Sequence, residues 1–92
     1  MTDEGVLNIL KTDLQICVDV YDEYLETLII LARDAITDEG IMIDMESERD
    51  WMLVELYAAY LYRKRKGEKT EMPRMLRRLL NNRLIRQKAG GG

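Results

Sequence analysis

The 92-residue chain has no histidine, only one serine and only one cysteine. Without histidine, the Ser/His and Cys/His pairs that activate catalytic nucleophiles cannot form. The six glycines supply no phosphate-binding loop, because they are isolated from one another except in the run at 90–92. These absences predict a protein that is not an enzyme and that binds no cofactor.

The lone cysteine, Cys17, excludes an intramolecular disulfide bond. It lies between Ile16 and Val18 with no basic neighbour to activate the thiol, so we expect a buried, structural side chain. There is no N-terminal signal of basic and then apolar residues. The longest apolar stretch, 51–62, is interrupted by Glu55 and is shorter than the roughly 18 residues needed to cross a bilayer. We expect a soluble protein that is synthesised in a reducing cytoplasm and makes no membrane contact.

Phenylalanine is also absent and proline occurs once, while 47% of the residues are hydrophobic. The core must therefore be built from Leu, Ile, Met and Tyr, which suit helices better than sheets. A chain of this length forms one domain and buries only roughly 60–65% of its unfolded surface, so assembly with other subunits would stabilise it. We predict an all-α fold, a small bundle of about four helices in a single domain at 1–89, followed by a flexible glycine tail at 90–92.

The helical spacing of apolar residues places the first two helices. A short helix covers Val6 to Ile16, and a second follows the region 19–22 and stops just before Gly40, which suits a left-handed C-terminal cap. The segment 41–43 is too short for a sheet and predicts an extended connector with apolar side chains turned towards the helices.

The third helix is apolar almost all round from Trp51 to Tyr62. Either Asp44 or Ser47 can cap its start, and Ser47 with Asp50 approximates a capping box. Because a chain of this length has too little interior to surround such a helix, we expect one face to pack against another subunit. The cations at 63–66, followed by a glycine at 67, then end the helix.

The fourth helix is both amphipathic and basic. Thr70 can cap it, and Pro73 is tolerated in its first turn. Its apolar stripe is Met72, Leu76, Leu79, Leu80 and Leu84. Another side is lined by Arg74, Arg77, Arg78, Asn81 and Lys88. Across the chain, the side chains predicted to pack in the core or between subunits are Leu25, Leu28, Ile29, Trp51, Leu56, Tyr57, Tyr60, Leu61, Leu76 and Leu80.

Alternating acids at Asp44, Glu46 and Glu48, with Glu55 beyond them, match four ligand positions of a calcium-binding loop. Arg49 occupies the position where such a loop requires glycine for its sharp turn. The residues that follow also predict a helix. Acids at a solvated helix start are therefore the favoured interpretation, and no metal site is predicted.

Charge divides the chain at residue 63. Residues 1–62 hold fifteen acidic and three basic side chains, a net of −12, whereas residues 63–92 hold eleven basic and two acidic ones, a net of +9. Such asymmetry is typical of a molecule that meets an acidic partner with one end, or another copy of itself head to tail.

Three interpretations of the basic segment remain open: a solvated helix face, a nucleic-acid contact, or docking on an acidic protein surface. The net −12 of the other half argues against direct DNA binding. A helix-turn-helix made of the last two helices, with 70–86 as the reading helix, depends only on the turn at 67–70. The alternative to a structural protein is therefore a small DNA-binding regulator that uses the basic C-terminal helix.

The order of residues in three segments is similar to that of a known family. The segments are DEYLETLIILARDAI at 22–36, LYAAYLYRKR at 56–65 and MPRMLRRLLNNRL at 72–84. Together with 10–14, they resemble the head-tail connector proteins of tailed phages and prophages, also called adaptor or head completion proteins. The resemblance covers about residues 6–86 and concerns packing rather than catalysis.

In that family a small helical subunit forms a dodecameric ring beneath the portal vertex of the capsid. The ring extends the channel through which DNA passes without sequence-specific binding, and it offers a docking platform for the next tail component. The resemblance thus implies a structural virion protein at the head-tail junction, whose partners are the portal protein, a tail-joining or stopper protein and further copies of itself. The basic side of one copy would meet the acidic side of the next. The residues implied for portal or subunit contact are Arg63, Arg65, Arg74, Arg77, Arg78, Arg83 and Arg86.

Overall fold

A computed structural model describes residues 2–68 and 71–90. Over these residues the chain is helical, without a strand, and its helices are α1 (Asp3–Asp13), α2 (Asp22–Asp38), α3 (Glu48–Arg65) and α4 (Arg74–Ala89). The prediction of an all-α bundle of about four helices is confirmed. No helix in the described part of the chain is long and apolar enough to span a membrane.

The first helix, α1, begins and ends three residues earlier than the apolar pattern predicts. At its start, the amide of Gly5 donates to Oγ1 of Thr2 over 3.2 Å, which satisfies one free donor of the first turn. At its end, Gln15 is left-handed, with a φ of 59°, and its amide and that of the next residue donate back into the last turn. This pair of hydrogen bonds is a Schellman motif, which stops the helix without the usual glycine.

The two glycines predicted to end α2 and α3 do so. Gly40 has a φ of 96° and Gly67 a φ of 77°, a region that a side chain disfavours. After α3, the amides of Gly67 and Glu68 each donate over 3.0 Å to a carbonyl of the last turn, another Schellman motif. These helix ends follow directly from the sequence.

The start of α3 differs from the predicted capping box. Ser47 is the N-cap residue, but its side chain accepts no cap hydrogen bond. The carboxylate of Asp50 instead accepts the amide of Asp44 over 2.8 Å. Asp50 also binds Arg83 of α4, so a tertiary contact holds this carboxylate away from the helix start.

The centre of the bundle is α3, because α1, α2 and α4 all pack against it. All ten residues predicted for core or subunit packing lie in the buried core or against it. These three helices cover much of α3, but they do not surround it completely. Met52 is 44% exposed, and the other apolar side chains at its surface are half-buried: Trp51, Leu56, Tyr57, Leu61 and Tyr62. The packing of one α3 face against another subunit therefore stays a prediction.

Cys17 is exposed, so the prediction of a buried thiol is wrong. Because α1 ends at Asp13, the residues at 14–21 form an irregular link to α2 and do not continue a buried helix face. Ile16 packs against the core, whereas Val18 and Val20 are exposed. The link thus carries apolar side chains and the thiol on the outside of the bundle.

The connector at 41–43 behaves as predicted. Ile41 is buried and Ile43 packs against the core, while Met42 is exposed. This segment runs beside α4 and supplies backbone groups that α4 side chains bind.

Leu76 and Leu80 of α4 are buried against the core, as the predicted stripe requires. Leu79 departs from the prediction, since it is 38% exposed at the edge of the contact. Pro73 is the N-cap residue of α4 and not part of its first turn. The predicted cap at Thr70 and the tail residues at 91–92 lie outside the described residues.

Candidate protein-interaction surfaces

Arg83 fixes the C-terminal half of α4 to the start of α3. Its guanidinium donates to both carboxylate oxygens of Asp50, at 2.7 and 3.0 Å, and to the carbonyl of Met42 at 2.8 Å. One turn later, the side-chain amide of Gln87 donates to the Gly40 carbonyl and accepts from the Met42 amide, each over 2.8 Å. Arg83, predicted as a partner contact, therefore holds the subunit itself together.

The Asp50 carboxyl is ionised although it is only 2% exposed. Burial by itself raises the pKa of this carboxyl, but the hydrogen bonds from Arg83 and from the Asp44 amide outweigh burial, so the pKa lies below its usual value. The same hydrogen bond raises the pKa of Arg83. Removing only one partner of such a buried pair strongly destabilises the folded chain.

Arg77 links α4 to the end of α2. Its guanidinium donates to both carboxylate oxygens of Glu39, at 2.7 and 2.9 Å. The Arg77 side chain is 43% exposed and that of Glu39 28%, so water screens this pair more than it screens the buried pair of Asp50. Arg77 is thus also committed to a contact within the subunit.

The predicted contact residues at the end of α3 have weaker partners. Arg63 lies 3.9 Å from the Asp13 carboxylate, and the guanidinium of Arg65 lies 5.8 Å from the ring centre of Tyr24. Surface interactions of this type contribute about 1 kcal/mol or less each. Both arginines could exchange these contacts for a partner at little cost.

The other three predicted contact residues, Arg74, Arg78 and Arg86, are exposed and form no ion pair within the described part of the chain. The charge pattern of the sequence does not distinguish these three exposed arginines from Arg77 and Arg83. The acids that bind those two arginines lie 38 and 33 residues earlier in the chain. Helical periodicity defines a face, but it does not identify a partner so far away.

A groove of about 400 Å³ lies between α3 and α4, and we call it the α3/α4 groove. Apolar side chains of both helices contribute to it, chiefly the exposed Met52 and Leu79 together with the half-buried Leu56. Arg49 and Arg86 also line it, and both are exposed without an ion pair among residues 2–68 and 71–90. The sequence hint was Arg49, one of only three cations in the acidic half.

The outer face of α2 is acidic with an apolar centre, and we call it the α2 ridge. Glu23, Glu26, Ile30 and Asp34 recur at three or four residues along it, and all four are exposed. Ile30 is 49% exposed, whereas its neighbour Ile29, 100° away around the helix, is buried. The three carboxylates of the ridge have no ion pair in the described part of the chain.

Glu55, in the middle of α3, is a second buried acid, and its Oε2 has no hydrogen-bond partner within the described residues. Burial and a hydrogen bond with Asp13 raise the pKa of Glu55 to about 8, and Arg63 offsets this only in part. At neutral pH the Glu55–Asp13 pair therefore holds a proton. The sequence showed Glu55 only as an interruption of an apolar stretch.

The acids of the calcium-loop pattern are not brought together. Within the described residues, no group of three or more Cys, Asp and Glu side chains is placed to hold a metal ion. Glu55 interacts with the end of α1, whereas the Asp44 carboxylate accepts the backbone amide of Glu46 before α3. Asp44 and Glu55 therefore make separate, local contacts.

Comparison of the chain with family models, with curated proteins and with solved structures finds no match. The geometry and charge of the α2 ridge and the α3/α4 groove therefore carry the functional argument.

Proposed function

We propose that this protein is a head-tail connector subunit, a structural protein of virion assembly. In this proposal it forms a ring under the portal at the head-tail junction, extends the DNA channel and gives tail components a docking platform. It works through protein contacts alone and catalyses no reaction.

The observation that carries the proposal is that two exposed surfaces of opposite charge persist after the internal ion pairs have formed. The α2 ridge keeps three carboxylates, and the α3/α4 groove keeps two arginines. A ring requires two different, complementary surfaces on every subunit, because each copy contacts one neighbour with each of them. The segments that resemble the connector family lie in α2, the second half of α3 and most of α4, and they include the whole α2 ridge.

The fourth helix supplies the candidate contact with the portal. Arg77 and Arg83 hold this helix in place, whereas Arg74 and Arg78 project into solvent from its first half. Of the seven arginines predicted from the sequence, these two are the best placed to meet an acidic partner, with Arg63 and Arg65 as adjoining cations.

The native mass against protein concentration, at low and at moderate salt, tests the ring directly. The expected result is a discrete, closed oligomer of about a dozen subunits, visible as rings by electron microscopy. An open polymer that never closes would contradict the proposal.

Docking to a purified portal protein tests whether the first half of α4 is the portal contact. Replacing both Arg74→Glu and Arg78→Glu should abolish docking and leave the melting temperature unchanged, because both side chains are exposed. Lys88→Glu, at the other end of α4, is the matched control and should dock normally. If the double variant docks as well as the unaltered chain, the contact lies elsewhere.

One observation favours the alternative, a small DNA-binding regulator. Arg74, Arg77, Arg78 and Asn81 line one hollow at the start of α4, and the first residues of a recognition helix commonly reach base edges. Binding to duplex DNA over a salt series separates the two functions. A regulator loses affinity steeply between low and moderate salt, whereas a connector binds duplex feebly near physiological salt.

A further inference from the structure

We propose that the α2 ridge of one copy docks in the α3/α4 groove of the next copy. The inference rests on the proposed function, because it specifies the contact that would join the subunits. It needs no rearrangement of the fold, since both surfaces are exposed.

The groove offers an apolar centre with a cation on each wall. Met52 lies one turn after Arg49 on α3, and Leu79 lies two turns before Arg86 on α4. Neither arginine has an ion pair within the described part of the chain. An occupant of this groove would therefore bury apolar side chains and supply carboxylates at its edges.

The ridge carries an apolar side chain between carboxylates. Ile30 is flanked by Glu26 and Asp34, each four residues away and hence about 6 Å along the helix axis. Leu31, which is 47% exposed, widens the apolar centre. Seated in the groove, Ile30 would contact Met52 and Leu79, and the carboxylates would reach the free guanidinium groups.

The ridge and the groove lie on different sides of the subunit. Tyr62 of α3 contacts Tyr24 of α2, with ring centres 6.4 Å apart, and Leu56 in the groove lies about 120° from Tyr62 around α3. The ridge faces away from α3, and its Glu26 and Ile30 border a hollow that α2 shares with α1. One copy can therefore use both surfaces at once, with a different neighbour on each.

Charge favours this head-to-tail contact over a symmetric dimer. Two grooves placed face to face would oppose arginines, and two ridges would oppose carboxylates, so either arrangement brings like charges together. Only the pairing of ridge with groove joins opposite charges. A contact between different surfaces closes into a ring or extends as a filament.

The exposed surface leaves room for such a contact. The subunit exposes 6155 Å², whereas a monomer of 10.8 kDa typically exposes about 5,500 Å².

A charge swap tests the inference. The ridge variant carries Glu26→Lys and Asp34→Lys, and the groove variant carries Arg49→Glu and Arg86→Glu. Each variant alone opposes like charges across the contact, so its self-association, measured by sedimentation over a concentration series, should be at least about tenfold weaker. Mixed in equal amounts, the two variants can alternate with every contact restored, and the assembly of the unaltered chain should return.

Two controls separate this result from damage to the fold. The variant with Arg74→Glu and Arg78→Glu changes the same charge on α4 outside both surfaces and should associate normally. The ridge variant should keep its melting temperature, and the groove variant is checked in the same way because Arg86 also attracts the buried Asp50 carboxylate. If the groove variant loses stability, Met52→Ser with Leu79→Ser replaces it, and this pair should weaken association without a change of charge.

The outcomes distinguish the contact from the proposed function. Rings that form unchanged in both charge variants would overturn the inference and leave the connector function standing. Restored association of the mixture as open filaments alone would support the contact and contradict the ring. Failure of the folded mixture to associate, or an unaltered chain that remains monomeric at about 1 mM, would overturn the ridge-to-groove contact.

Discussion

Asp50 and Glu55 are both buried acids of α3, five residues apart, yet their hydrogen-bond partners have opposite charge. Arg83 of α4 binds both oxygens of Asp50, which holds the pKa of Asp50 below its usual value. Burial and a hydrogen bond with another acid, Asp13, raise the pKa of Glu55 to about 8, although Arg63 offsets part of this. Burial raises the pKa of both carboxyls, so the geometry of the nearest cation decides which of them stays charged.

The two sites therefore stabilise the fold in different ranges of pH. A carboxyl with a lowered pKa stabilises the folded chain at neutral pH and loses that effect as the pH falls through its folded pKa. A carboxyl with a raised pKa destabilises the folded chain as the pH rises towards that pKa. For these two groups together, stability should be greatest near pH 4, between their ordinary pKa values of 3.8 and 4.5.

Removing Arg83 should cause the largest loss of stability. Arg83→Leu leaves the Asp50 carboxylate buried without its cation, so the free energy of unfolding at pH 7, measured in urea, should fall by about 3 kcal/mol or more. Arg78→Leu, on the exposed side of the same helix, should change it by less than about 0.5 kcal/mol. Adding Asp50→Leu to Arg83→Leu should recover most of the loss, and equal effects of the two single substitutions would refute the assignment.

The pH dependence should distinguish Glu55 from Asp50. Between pH 5 and pH 8 the folded chain keeps a proton on Glu55 that the unfolded chain releases near the ordinary pKa of 4.5, so stability falls as pH rises. The full linkage slope is about 1.4 kcal/mol per pH unit. Because the Asp13 side chain is 37% exposed and partly screened, we expect a total fall of about 2 kcal/mol.

Glu55→Gln should abolish that fall, and Glu26→Gln, on the exposed ridge, should leave it intact. Urea unfolding at several pH values measures both. A stability that is flat from pH 5 to pH 8 in the unaltered chain would mean that Glu55 ionises without penalty.

The ion pair between Arg77 and Glu39 should contribute less to stability than the buried pair of Arg83 and Asp50. Arg77→Leu should lower the free energy of unfolding by about 1 kcal/mol, because both partners are partly exposed and water replaces the lost bonds. The loss should shrink in 1 M salt, whereas the loss caused by Arg83→Leu should change little. A loss as large as that of Arg83→Leu would show that exposure does not separate the two pairs.

Most of the fold could be predicted from the sequence, because it depends on local patterns. The apolar spacing predicted the helices, and Gly40 and Gly67 end α2 and α3 in left-handed conformations. The left-handed turn at Gln15 gave no such signal, and the exposure of Cys17 follows from it. The sequence did not show how much of α3 the other three helices would cover, because that depends on how the helices cross.

The interaction surfaces could be predicted only in part. The charge division predicted an acidic and a basic side, but not that Arg77 and Arg83 would be bound to acids of the same chain. Those pairs depend on how the helices cross, which periodicity does not encode. The α3/α4 groove was missed for the same reason, since its arginines come from opposite halves of the sequence.

The bonds that hold α4 have a consequence for the order of folding. They attach α4 to the start of α3 and to the link before it, whereas α1, α2 and α3 all pack against one another. Because α4 packs chiefly against α3 alone, it should dock after the first three helices have assembled. Arg83→Leu should then leave the folding rate nearly unchanged and accelerate unfolding in stopped-flow experiments. The bond between Arg83 and Asp50 would thus set the lifetime of the native subunit and not the speed at which it forms.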